Sequence, residues 1–168
     1  MSEPIDNKEM GGATELSENQ YLTFQLADEM YGVDILKVEE IRGWEPVREI
    51  PNTPAFIKGV LNLRGGVVPI IDLRARFGME QIEYHAKTVV IVLLIGEGDD
   101  QHVMGIIADA VSEVLEVDRG EIKNAPNLGA SINTRYIRGM VMGKNMVMLL
   151  DADKLLNPEE FSLIEDVG

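Results

Sequence analysis

Gly32-Val33-Asp34-Ile35-Leu36-Lys37-Val38-Glu39-Glu40-Ile41 is answered further along by Gly105-Ile106-Ile107-Ala108-Asp109-Ala110-Val111-Ser112-Glu113-Val114. The glycine, the valine and the second glutamate are identical, and Ile41 is matched by Val114. Downstream, Phe56-Ile57-Lys58-Gly59-Val60 is matched by Tyr136-Ile137-Arg138-Gly139-Met140, and the copies close on Asp72 and Asp151. The second copy carries extra residues in the polar stretch Asn124–Thr134, since Gly105 to Gly139 spans 34 positions against 27 from Gly32 to Gly59. Several matched positions in one order point to a duplicated unit. Each copy has room for about five short strands, which suits a small barrel, and closing a barrel removes exposed sheet edges. Two such lobes leave a groove where they meet, and grooves bind ligands.

Working outward, Tyr21–Leu26 alternates, with Leu22, Phe24 and Leu26 on one face. Ala27-Asp28-Glu29 then turns the chain into Met30–Val33. Ile57–Leu63 and Val67–Ile71 flank Arg64-Gly65-Gly66, a tight turn in which the two glycines supply positive φ. Val89–Ile95, a continuous β-branched and leucine run, reads as a central buried strand that turns at Glu97–Gln101 and returns as His102–Ile107. Tyr136–Met142 and Met146–Leu150 make a further hairpin around Gly143-Lys144-Asn145. Helical text is confined to Leu73–Phe77, Ala152–Leu156 and Pro158–Ile164, the last opening on a first-turn proline. The expected fold is all-β with a few short helices: two small five-stranded barrels related by internal duplication. The lobes are expected at about 20–86 and 87–157, with strand crossover between them allowed for, followed by a short C-terminal helix. Residues 1–19, acidic and carrying Gly11-Gly12, read as a flexible tail.

Composition removes whole classes of function. The 168 residues carry 29 acidic and 15 basic side chains, and a net charge of −14 opposes binding to polyphosphate. With no cysteine, thiolate metal sites, iron–sulfur clusters and cysteine nucleophiles are excluded. Two histidines, His85 and His102, are too few for a histidine-rich metal site, so no metal or cofactor is expected. The longest apolar run, Val89–Ile95, falls far short of the ~20 residues a membrane-spanning helix needs. The start of the chain lacks a basic region followed by an apolar stretch. A soluble, cytoplasmic chain is the expectation.

A search for chemistry finds little. Arg64-Gly65-Gly66 lacks the Lys-Ser/Thr and following helix of a phosphate-binding loop. Glu97, Asp99 and Asp100 lack the spacing of a calcium loop and read as a solvated turn. His85 and His102 read as ordinary surface or edge-strand residues, and no serine sits in a nucleophile-elbow setting. Three residues stay open to more than one reading. Arg64 at a hairpin tip is either a contact residue or a solvated arginine. Glu40, recurring as Glu113, serves either the fold's geometry or its groove. Trp44, the only tryptophan, is a lid on the core or an interface anchor. A small barrel enzyme with its site between the lobes and a structural β domain are the rivals to a binding protein.

The run Tyr31–Gly43 resembles the opening of the CheW family of bacterial chemotaxis coupling proteins. So do Asn52–Gly65, the Val68-Pro69-Ile70-Ile71-Asp72-Leu73 that follows, and in the second half Val89–Val92, Gly105-Ile106, Val111–Leu115 and Leu155-Leu156-Asn157. The resemblance spans nearly everything from Gln20 to Glu160. It implies two SH3-like β-barrels and an adaptor without catalysis. Such adaptors link the cytoplasmic tips of methyl-accepting chemoreceptors to the regulatory domain of the chemotaxis histidine kinase, itself a pair of similar barrels, in rings beneath the membrane-associated receptor array. Carried over by position, Val38, Glu40, Gly59 and Arg64 match sites near the family's receptor-binding groove. Val89, Val90, Gly105 and Val111 match sensitive positions of the second half, a core role being left open for some. Leu128 matches an apolar kinase-contact position where the family often has phenylalanine. The chain is too short for a fused receiver domain and lacks the kinase's ATP-binding motifs, so the resemblance is to the free adaptor. The partners implied are receptor and kinase, with no nucleic acid and no membrane insertion.

Overall fold

The computed structural model describes residues 20–124 and 134–165. The acidic segment 1–19 and Leu128 lie outside them. Among the described residues, ten strands form two five-stranded sheets. In chain order they are β1 (Gln20–Leu26), β2 (Glu29–Asp34), β3 (Val38–Gly43), β4 (Ile57–Leu63), β5 (Gly66–Asp72), β6 (Val89–Ile95), β7 (His102–Ala108), β8 (Ala110–Glu116), β9 (Ile137–Met142) and β10 (Met146–Leu150). Helices α1 (Leu73–Arg76) and α2 (Pro158–Glu165) follow β5 and β10.

The sheets run β8-β1-β2-β10-β9 and β3-β6-β7-β5-β4. Numbered within each copy, both have the order third, first, second, fifth, fourth. In each, the first two strands come from one copy and the remaining three from the other. The lobes therefore do not divide at residue 86. The central sheet is built from the stretch 38–108, and the other closes around it with both ends of the described chain. The physical reason is the duplication: matched strands present equivalent edges, so each copy's third, fourth and fifth strands pair as well with the other copy's first two. Register follows suit, since Ile70 of β5 lies parallel to Gly105 just as Leu149 of β10 lies parallel to Gly32.

Three apolar clusters result. Leu22, Phe24 and Leu26 of β1 and Ile91, Leu93 and Ile95 of β6 face a shared core between the sheets, with Tyr31, Val33, Met104 and Ile106. On their other faces, Leu61, Val68, Ile70, Val90, Val92 and Ile107 fill the central barrel, and Tyr21, Val117, Val141, Val147 and Leu149 fill its counterpart. Burial on both faces is why Val89–Ile95 reads as an unbroken apolar run.

The repeat's glycines have a common cause. A Cβ at Gly59 would overlap the Arg48 carbonyl, because Arg48 and Val60 exchange backbone hydrogen bonds at 3.0 and 2.8 Å. At Gly139 a Cβ would lie 3.0 Å from the Lys123 carbonyl oxygen, where Lys123 and Met140 make the same exchange at 2.9 and 2.8 Å. Asp72 caps α1, its carboxylate accepting from the N–H groups of Arg74 and Ala75 at 2.9 and 3.3 Å, whereas Asp151 makes no side-chain cap.

Glu39 and Glu40 lie inside β3, and the matching stretch forms β8. One expectation needs correction. At the hairpin tip, positive φ falls on Arg64 (51°) and Gly65 (82°), while Gly66 already belongs to β5. With Leu63 paired to Gly66, this is a two-residue turn left-handed at both central positions, the geometry that matches strand twist.

Candidate functional site

Glu40 and Arg64, separated by 24 positions in the chain, meet as an ion pair: Nη2 of Arg64 donates to Oε1 of Glu40 at 2.8 Å. β3 is bulged between Val38 and Glu40, and a bulge re-aims a side chain. The hairpin tip brings Arg64 across. Arg42, two residues on, holds the other carboxylate oxygen at 3.3 Å and reaches Glu45 at 3.5 Å. Glu40 is thus clasped between two guanidinium groups and largely covered, while the Arg64 side chain stays 76% exposed.

The pair stands on the rim of a groove of about 600 Å³. Its floor is apolar, from Val68 and Pro69 of β5, Val92 of β6 and Val103 of β7, with Leu63 and Val67 on the hairpin side. Phe161 and Ile164 of α2 close one flank, and the His102 ring stacks on Phe161 with centroids 4.4 Å apart. An open apolar trough with a charged rim can take a side-chain-bearing rod such as an amphipathic helix. Among the described residues no group of three or more acidic or histidine side chains is placed to hold a metal.

The eight positions carried over from the family scatter in an ordered way. Only Glu40 and Arg64 line this groove. Val38 is half-buried at the start of β3 and packs against the shared core. Val89 and Val111 line a second cleft of about 480 Å³ with Met30 and Lys87, where the two sheets adjoin. Gly59, Val90 and Gly105 are buried and line neither cleft. A register row links several of them: Glu40 pairs with Val92, Val92 with Gly105, Gly105 with Ile70, and Ile70 with Gly59. A Cβ at Gly105 would come within 2.7 Å of both Ile70 Cδ1 and Val90 Cγ1. A side chain at Gly105 would therefore press on Ile70 within the row and on Val90 beside it, whereas one at Gly59 would press on Arg48 and Val47 outside it. The other sheet repeats the row, from Glu113, bonded through its backbone to the Thr23 hydroxyl, to Thr23, Gly32, Leu149 and Gly139. Glu40 accordingly stands both at the end of a register row and on the rim of the groove.

Sequence reasoning missed the flank. Phe161 and Ile164 are spaced three apart in an acidic helix, so one apolar edge was legible, but which strands it covered was not. His102 is exposed, as a surface residue would be, but sits at the start of β7 with its ring stacked on Phe161. Trp44 packs on Tyr84, centroids 4.3 Å apart, beside the central barrel's cluster. Burial, followed by a 2.6 Å hydrogen bond to Asp72, pushes the Tyr84 hydroxyl's pKa upward.

A family model of the CheW-like domain matches residues 20–160. The chain belongs to the CheW-like family. It is 47% identical to the chemotaxis protein CheW of Klebsiella aerogenes, over 93% of this chain and 92% of that one. It is 28% identical to the protein FrzA of Myxococcus xanthus, covering 83% of this chain and 86% of the other. Among solved structures, the scaffolding protein TtCheW of Thermoanaerobacter tengcongensis superposes with a TM-score of 0.75 at 31% identity, covering 85% of this chain and 90% of that one. The two sheets of this CheW-like chain are SH3-like barrels, as in that relative.

Proposed function

We propose that this CheW-like chain is a non-catalytic adaptor that couples the cytoplasmic tips of methyl-accepting chemoreceptors to the chemotaxis histidine kinase, with the receptor docking in the groove rimmed by Glu40 and Arg64. The observation that carries this is the 2.8 Å meeting of those two residues over an apolar floor. Both belong to motifs shared with the coupling proteins, and the trough suits a helical partner laying an apolar stripe on Val68, Val92 and Val103. A partner carboxylate reaching the rim would find the exposed guanidinium of Arg64, whose planar fork matches it. Val89 and Val111 extend the docking surface into the second cleft, and Gly59, Val90 and Gly105 act through packing. Leu128 is the proposed contact for the kinase's regulatory domain. Recruitment to membrane-associated receptor arrays would then come through partners; no helix among the described residues is long and apolar enough to cross a membrane. The adaptor works without cofactor, and its charge of −14 disfavours nucleic acid.

Co-sedimentation with receptor fragments and with the kinase tests this. The wild-type chain brings both down; Glu40→Lys and Arg64→Ala fold, keep the kinase and lose the receptor. Unaltered receptor binding by both variants would contradict the assignment of the groove.

A further inference from the structure

We propose that the ion pair between Arg76 and Glu160, neither of which lines the groove, is a positioning device that fixes the groove's helical flank and so sets its affinity for the receptor. This rests on reading the groove as the receptor's docking place.

Arg76 ends α1 and its side chain is only 5% exposed. Its Nη1 and Nη2 each donate at 2.9 Å to a different oxygen of Glu160, a bidentate fork. The guanidinium lies 4.0 Å from the ring centre of Phe56 and 5.1 Å from that of Tyr136, the two aromatic residues matched by the duplication. Arg76 is therefore pinned where the two copies meet. Glu160 in turn orders the start of α2. One of its oxygens accepts the Asn157 N–H at 2.9 Å while the Asn157 side chain accepts the Glu160 N–H at 2.8 Å, a reciprocal cap. The next residue is Phe161, and one turn on is Ile164, the two that flank the groove. Moving Glu160 moves both, and with them the ring stacked on His102.

The test uses the full chain with a purified receptor-tip fragment and reads two quantities: receptor affinity, and the His102 imidazole proton shift, which the Phe161 ring current perturbs. With two histidines in the chain, His102→Gln assigns the signal. Arg76→Met keeps the stem between the rings but removes the fork. It should weaken receptor binding about tenfold and release the His102 shift, with kinase binding unchanged. Arg76→Lys retains the cation without the fork and should restore both readouts only in part. Glu160→Gln, the milder change should Arg76→Met fold poorly, should move both in the same direction by less. If the variants release the His102 shift while affinity stays at wild type, or move neither, the proposal is overturned. Arg64→Ala separates the failures. If it alone weakens binding, docking stands and only the positioning role falls; if it too binds normally, the docking reading has failed and the proposal goes with it.

Discussion

Arg64 holds φ at 51°, a left-handed conformation that costs an L-residue about 1–2 kcal/mol. Glycine adopts it without that cost, so the guanidinium is retained against the backbone's preference. Its ion pair with Glu40 contributes about 0–1 kcal/mol, as surface pairs do. The two effects oppose each other. Arg64→Gly is therefore expected to leave folding stability within about 1 kcal/mol of wild type while deleting the groove's exposed cation; chemical denaturation checks the first half. Gly59 behaves oppositely. A Cβ there meets the Arg48 carbonyl, which is locked to Val60 by two backbone hydrogen bonds. Gly59→Ala is expected to destabilise by about 1–3 kcal/mol, visible as a lowered denaturation midpoint. On the proposed reading Gly59 acts through packing, so any loss of receptor binding by Gly59→Ala is expected to shrink in a background of raised stability.

At the scale of elements, the sheets are latched at Asp109, between β7 and β8. Its carboxylate accepts two hydrogen bonds from Arg74 at 3.1 and 2.7 Å and one from the Ala27 N–H at 2.8 Å, joining α1 to the β1–β2 turn. Burial pushes the Asp109 pKa up, but the Arg74 hydrogen bonds, the Ala27 N–H and nearby positive charge outweigh it and leave it below the ordinary aspartate value. The folded state thus favours the ionised form. The stability it adds is full above the unfolded pKa of about 4 and is lost as pH falls through the lower folded value. Asp109→Asn should cost about 1–3 kcal/mol at neutral pH and flatten that acid limb, which denaturant melts from pH 7 down to pH 2 would register. Strands with an apolar face, such as Ile57–Leu63 and Val89–Ile95, were legible to the residue. β3 and β8 were not, because edge strands are kept charged and here are bulged, so the two-residue alternation is broken. Glu40 and Arg64 were legible through motif and turn; the row joining Glu40 to Gly105 and Gly59 depends on cross-strand register, which no local pattern carries.

The whole molecule is two barrels that cannot be separated by cutting the chain once, since each sheet draws strands from both copies. Unfolding is accordingly expected to be a single transition. Trp44 fluorescence, which reports the central barrel, should coincide with far-UV circular dichroism, and two resolved midpoints would contradict the interleaving. Interleaving also bears on function. A load placed on the groove in the central sheet is carried into the other barrel through shared core and paired strands rather than through a linker, which suits the proposed adaptor role. The most direct test is a reconstituted kinase assay with receptors, kinase, and either the wild-type chain or Arg64→Gly. The Arg64→Gly chain is predicted to match wild type in stability and in kinase binding, yet fail to bring the kinase under receptor control. Full activation with normal attractant inhibition by Arg64→Gly would contradict the coupling role of the groove.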